Sequence, residues 1–319
     1  MKLGYNFFIT FIIIISTSIL FIYFHFDKIK NEEIVNDNTY VFVEKNDSQK
    51  NIIKKLSLKK INISYINWRI ISFYHPDQLL PKAGEYLIPD GSSIFEIQQI
   101  FQAGKTITRN FTLIEGSTAS DLKIKILSNK YLTGTIPILM EGIYKPNTYH
   151  FKHGYSRIKL LNRMKKAQDI SLNTIWKNKP KNFILKNKNE LLILASIIQK
   201  EAKSFEDSKL VASVFINRLN NKMKLQSDVT LAYGLNINGK YITKKMLKSP
   251  HPFNTYFYNG LPPKPISYPG ENALNALKSF KNTNYLYFVA DGNGSHRFSE
   301  TYKLHKKNVN LWKKSILRD

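Results

Sequence analysis

Residues 7–26 read FFITFIIIISTSILFIYFHF, twenty positions without a formal charge. As an α-helix rising 1.5 Å per residue, this run is roughly 30 Å long, the thickness of a bilayer's hydrocarbon core. A helix apolar on all sides has to be buried in a large core or in lipid, and a core helix rarely runs this long without a polar stripe. A cleaved signal peptide has a shorter apolar region followed by small residues, whereas Phe21, Tyr23 and Phe24 stand where a cleavage site would fall. The run therefore reads as an uncleaved membrane anchor. Lys2 precedes it and Lys28 and Lys30 follow it, so the positive-inside rule does not decide its orientation. Residues 27–38 are expected to form a short polar tether, with a soluble body beyond.

The chain carries 48 Lys and Arg against 23 Asp and Glu, a net charge of +25 over 319 residues. Basic surfaces attract phosphate backbones. Here the lysines are dispersed among Asn and Ile, as at Lys54, Lys55, Lys59 and Lys60. There is no arginine-rich arm, basic heptad region, zinc-finger spacing or aromatic RNA-binding signature. The charge reads as compositional bias, suited to anionic lipid or wall polymer, and nucleic acid is not an expected partner. With no cysteine, a disulfide framework, thiolate zinc sites, iron–sulfur clusters and a thiol nucleophile are excluded.

Three times an extended apolar stretch runs into a turn and then a helix: VFVEKNDS, EYLIPDGSS and FTLIEGST. Each turn supplies side chains that cap the first free N–H groups of a helix. Ser93 with Glu96 forms a capping box, Ile94, Ile97 and Phe101 make an apolar stripe, and Gly104 stops the helix. Residues 38–104 thus read as a small α+β module and residues 105–113 as the strand leading out. Beyond lie a basic amphipathic helix over 155–177, a very apolar helix (ELLILASIIQKEAKSF) and a further helix over about 207–220. A proline-rich loop over 249–270, a hairpin (YLYFVA, DGNG, HRFS) and a short basic helix complete the chain.

On a helical wheel starting at Leu194, Ile198, Glu201 and Phe205 fall in one narrow sector while Gln199 and Lys200 point away. A carboxyl on such an apolar stripe is desolvated, which raises its pKa toward the range a general acid needs. The alternative, a helix-end Glu at the core's edge paired with Lys200, Lys203 or Arg218, stays open on helix geometry alone. His150 and His153 lack the spacing of a zinc-protease helix, and no metal or cofactor is expected. Asn217, Arg218, Gln226, Asp228, Asn254, Tyr256 and Tyr258 form a polar, aromatic group that suits a carbohydrate cleft, where amides bond hydroxyls and rings cover sugar faces.

The ordered segments LASIIQKEA, VASVFINRL, MKLQSDVTLAYG, FNTYFYNGLPPKPISYPG and LYFVADGNGSHRFSET resemble the endolytic murein transglycosylases, the YceG-like family. EGSTASD and EGIYKPNTYHF match as well. The resemblance covers nearly the whole chain and implies an α+β fold with a single N-terminal transmembrane helix. Residues 1–37 would hold a cytoplasmic stub, the anchor at 7–26 and the tether; residues 38–104 a LysM-like module; residues 105–319 the catalytic domain.

The implied activity is a lyase in the cell inner membrane, its catalytic domain on the periplasmic side. It would cut nascent peptidoglycan strands internally and leave 1,6-anhydro-N-acetylmuramoyl ends. Peptidoglycan synthases are candidate partners. The family's catalytic glutamate lands on Glu201, and motif position marks Gln226, Asp228, Asn254 and Tyr256 as expected substrate-binding residues. The sequence departs from the family pattern at Gln199, often Glu, at Asn147, often Asp, and at Val229, often Pro. Hydrolytic muramidase activity and a non-catalytic peptidoglycan-binding scaffold are the alternative readings.

Overall fold

The computed structural model describes residues 2–74 and 81–316. It divides into two compact units, Met1–Asn110 with His150–Gly154, and Phe111–Tyr149 with Tyr155–Asp319. The architecture is mixed α+β, as expected.

The first unit opens with α1 (Lys2–Asn31), followed by β1 (Thr39–Val43), α2 (Gln49–Ser57), α3 (Tyr65–Tyr74), β2 (Gly84–Ile88) and α4 (Ile94–Ala103). The apolar residues of α1 are exposed from Phe7 to Phe24. Within this stretch Thr17 and Ser18 turn their hydroxyls back onto the carbonyls of Ile13 and Ile14, which satisfies them without water. One helix here is long and apolar enough to cross a membrane.

β1 and β2 pair antiparallel, with Val41 opposite Tyr86. Val41, Val43, Tyr86 and Ile88 face a core completed by Ile52 and Leu56 of α2, Trp68 and Ile71 of α3, and Ile97 and Phe101 of α4.

Residues 27–38 are not a free tether. Helix α1 continues to Asn31, and Ile29 and Val35, each only 3% exposed, belong to the same core. The Ile34 N–H donates to Ser92 O at 3.1 Å and the Gly91 N–H to Val35 O at 2.8 Å. Ile29 and Val35, with Ile34 packed partly buried beside them, suffice to dock a stretch that is otherwise polar, because each removes apolar surface from water.

The expected strand–turn–helix connections are present. Ser48, Ser93 and Thr118 each accept an N–H from three residues ahead, and Ser93–Glu96 and Thr118–Asp121 are reciprocal capping boxes. Gly104 closes α4 at φ 60°, a left-handed conformation that costs glycine little.

The chain continues through β3 (Arg109–Leu113), α5 (Ala119–Ser128), β4 (Leu132–Thr133), β5 (Asn147–Phe151) and β6 (Tyr155–Ser156). Next come α6 (Arg157–Lys177), α7 (Lys188–Glu201), α8 (Phe205–Asn220), α9 (Asp228–Leu235) and α10 (Glu271–Lys278). The antiparallel hairpin β7 (Tyr287–Ala290) and β8 (His296–Ser299) leads into α11 (Tyr302–Ile316).

Helix α7 is the axis of the second unit: every residue from Leu191 to Ile198 is buried, between α6, α8 and α10. It is fastened as well as packed. Ser196 donates to Ile193 O and accepts the Ile266 N–H at 3.0 Å, while Ser196 O accepts the Ser267 hydroxyl at 3.1 Å. Asn217 of α8 donates to Thr283 O and Tyr285 O at 2.7 and 3.0 Å, which sets the strand entering the hairpin. In α6 the expected stripe holds at Leu161, Met164 and Ile175, while Ile158 is exposed and Leu160 is buried in its place.

Candidate active site

Glu201 is the last residue of α7, where the helix leaves the apolar core. Its neighbours match the wheel in part: Gln199 is half-buried and Lys200 exposed. The Gln199 carbonyl accepts the Gly270 N–H at 2.8 Å. An amide therefore does at this position what a second carboxylate could also do as an acceptor. Lys200 reaches Gly116 O, and among the described residues Glu201 has no ion pair, so the alternative of a charge-paired helix-end Glu is not realised.

The Glu201 carboxylate is half-buried and its Oε1 accepts the Ser227 hydroxyl at 2.5 Å. Desolvation pushes the carboxyl above the ordinary carboxylate range. The Ser227 bond and the nearby His296 act against this rise, and the Asp228 carboxylate adds to it. The C-terminal end of α7 disfavours negative charge in the same sense.

Glu201 lines a cleft of about 260 Å³ together with Arg218, Gln226, Asp228 and Tyr256. Its opposite wall is Tyr287 and Phe288 of β7 with Tyr302 and His305 of α11. Arg218 is 7% exposed and builds one side. It donates to the carbonyls of Leu286, Lys224 and Leu225 at 2.6, 3.1 and 2.9 Å, and to Gln226 Oε1 at 3.1 Å. Its guanidinium lies 5.1 Å from the centre of the Tyr287 ring, a cation–π distance.

Gln226 has φ 49°, an uncommon conformation for a residue with a side chain. Arg218 on its side chain and Thr255 O on its N–H, at 3.1 Å, hold it there. Asp228 accepts the Tyr256 hydroxyl at 2.8 Å, and burial, reinforced by that carboxylate, drives the phenol's pKa up. The phenol is thereby kept as a donor.

Asn254, expected from motif position to bind substrate, lies beneath the cleft surface rather than in its lining. It is fully buried, and its amide donates to Met246 O, Leu247 O and Ser249 O while its Oδ1 accepts the Tyr256 N–H. With that capacity spent, it builds the loop that carries Tyr256. Asn217 is likewise committed to the backbone.

Sequence reasoning missed Ser227 and the wall of Tyr287, Tyr302 and His305. His305 is stacked on Tyr287 at 5.2 Å, and burial holds its pKa below the usual imidazole value. Behind Glu201, His296 Nδ1 lies 2.7 Å from Asp207 Oδ2, and Asp207 also accepts the Ser295 hydroxyl at 3.1 Å. His296 packs edge-on against Phe288.

A larger cavity of about 790 Å³ lies on the other side of α9, lined by Glu141, Lys200, Tyr233, His251 and Phe253. Glu141 there accepts the Ala119 N–H and the Tyr233 hydroxyl at 2.9 and 3.1 Å. Consecutive residues Lys200 and Glu201, and again Val229 and Asp228, thus face two different cavities.

The chain is 34% identical over 182 residues to a Bacillus subtilis protein named endolytic murein transglycosylase, covering 57% of this chain and 50% of that one. A Streptococcus pneumoniae protein of the same name is 34% identical over 177 residues, covering 53% of this chain and 32% of its own length. The chain therefore spans half or less of these relatives. A crystal structure of a YceG-like protein from Listeria monocytogenes superimposes with TM-score 0.55 at 28% identity, covering 85% of this chain and 99% of that one. The YceG-like family model matches residues 41–311, and the chain belongs to that family.

Proposed function

We propose that this chain is a membrane-anchored endolytic lytic transglycosylase acting on peptidoglycan glycan strands at the β-1,4 bond from N-acetylmuramic acid to N-acetylglucosamine. The observation that carries the reading is Glu201: a desolvated carboxyl with a raised pKa, at the rim of a cleft walled by amides and aromatic rings. The endolytic murein transglycosylase relatives support the same reaction class.

In this reading Glu201 protonates the bridging oxygen as the glycosidic bond breaks, and its carboxylate then accepts the proton of the sugar's C6 hydroxyl as that oxygen bonds to C1. The product is a 1,6-anhydro end, with no water consumed. One carboxyl suffices because the nucleophile is tethered to the reacting sugar and arrives at high effective concentration. Ser227 engages Oε1, which leaves Oε2 to carry the proton. Gln226 and Tyr256 are the polar groups offered to the substrate, and Tyr287 and Tyr302 the ring surfaces for its sugar faces. The catalytic unit would stand on the periplasmic side, where the polymer is, and its cuts would end strands.

The presence of Asp228 in the same cleft favours a second reading, hydrolysis, since muramidases use two carboxylates. Purified full-length chain incubated with uncrosslinked glycan strands is expected to shorten them, and Glu201→Gln to leave them intact. Undiminished cutting by the variant would sink the assignment. Binding of strands by the wild type without any shortening would instead favour a scaffold.

A further inference from the structure

Helix α3, Tyr65–Tyr74, is apolar on two faces. Trp68 and Ile71 are buried in the core of the first unit, and the Gln98 amide of α4 donates to Trp68 O at 2.9 Å. These contacts fix which way the rest of the helix points. At 100° per residue, Tyr65, Arg69, Phe73, Ile66 and Ile70 occupy one contiguous sector of about 140° on the opposite side. Ile66 is 69% and Phe73 81% exposed. A helix with apolar residues all round belongs in a large core or in lipid.

The neighbour of this sector identifies its surroundings. Ile66, Arg69, Ile70 and Phe73 line a groove of about 510 Å³ whose other wall is Phe21, Ile22, His25 and Phe26 of α1. Those are the last turns of the apolar span. Ile29, three residues beyond Phe26, is already in the core of the unit, a rise of about 4.5 Å. Lys30 over the Phe95 ring at 4.9 Å pins the same helix end to α4. With no slack between span and unit, α3 stands at the depth of the span's end.

We infer that the outward face of α3 is a membrane-embedded foot, seated in the interfacial region of the bilayer beside α1. The inference rests on the membrane-anchor reading of α1. The composition fits an interface: Tyr65 and Arg69 among aliphatic and aromatic side chains, with Lys50 at 5.4 Å from the centre of the Tyr65 ring. Arg69, Lys50 and Lys28 supply positive charge toward anionic headgroups. The occupant of the groove is phospholipid.

The absence of cysteine allows single nitroxide labels through Phe11→Cys, Ile66→Cys and Phe73→Cys in the full-length chain. It would be reconstituted in phosphatidylethanolamine–phosphatidylglycerol vesicles. Collision with oxygen, which concentrates in lipid, and with a water-soluble nickel chelate measures depth by electron paramagnetic resonance. Labels at 66 and 73 are expected to be shielded from nickel and accessible to oxygen, at shallower depth than the label at 11. Full nickel accessibility at 66 and 73 with shielding at 11 overturns the foot and leaves the anchor standing. Nickel accessibility at 11 overturns the anchor, and the foot with it.

Discussion

Ser227 occupies the residue that precedes α9, yet its side chain makes no capping bond to that helix and its hydroxyl donates to Glu201 Oε1 instead. A loop residue thereby orients the carboxyl that ends α7. Ser227→Ala is expected to lower kcat by roughly tenfold, the equivalent of one hydrogen bond of about 1–1.5 kcal/mol. Since that bond holds the Glu201 pKa down, the alkaline limb of the kcat profile should move to higher pH. A lowered kcat with an unmoved limb would mean that Ser227 acts only on loop structure.

Desolvation raises the Glu201 pKa in the folded protein. Between the ordinary carboxylate pKa and that raised value, the folded state binds more protons than the unfolded chain, so stability falls as pH increases through this window. Glu201→Gln removes that slope. The variant should be more stable than wild type at pH 7 by about 1 kcal/mol and equal to it near pH 4, while lacking activity. Thermal melts at the two pH values check this.

Arg218 satisfies three backbone carbonyls and Gln226 from a buried position. Arg218→Met keeps much of the volume and strands those acceptors, so urea unfolding should report a loss of about 3 kcal/mol or more. Gln226, held at φ 49° in part by this contact, would be freed, and KM should rise in whatever folded fraction remains.

A Cβ added at Gly234 of α9 would lie 2.4 Å from His251 Cε1 and 2.8 Å from Phe253 Cβ. The glycine lets the loop bearing Tyr256 approach the helix. Gly234→Ala should therefore cost about 1–3 kcal/mol despite the better helix propensity of alanine. It should also weaken strand cleavage through the displaced loop, which paired melting and turnover assays would reveal.

What could be read from sequence is local. Ser48, Ser93, Thr118 and Gly104 act on groups three or four residues away, so the caps and the elements they bound are legible in the sequence; helical spacing puts Glu201 on the apolar side of its helix but leaves its role open. Asn254 looked like a ligand because its neighbours are polar and aromatic; its actual partners, the 246–249 carbonyls, depend on a loop geometry that spacing does not encode. The wall of Tyr287, Tyr302 and His305 requires the hairpin and α11 to fold across α8. That contact is distant in sequence, as the 68-residue separation of Arg218 and Leu286 illustrates. Helix α3 is not legible in the sequence because its two apolar faces blur the periodicity that marks a surface helix. Residues 27–38 read as a tether in the sequence because Ile29, Ile34 and Val35 are outnumbered by charges there.

The most direct test of the account is mass spectrometry of the ends released from uncrosslinked glycan strands by the full-length chain. Intramolecular attack predicts 1,6-anhydro-N-acetylmuramoyl ends from the wild type and none from Glu201→Gln. Reducing ends, heavier by one water, would contradict it and show that water is the nucleophile.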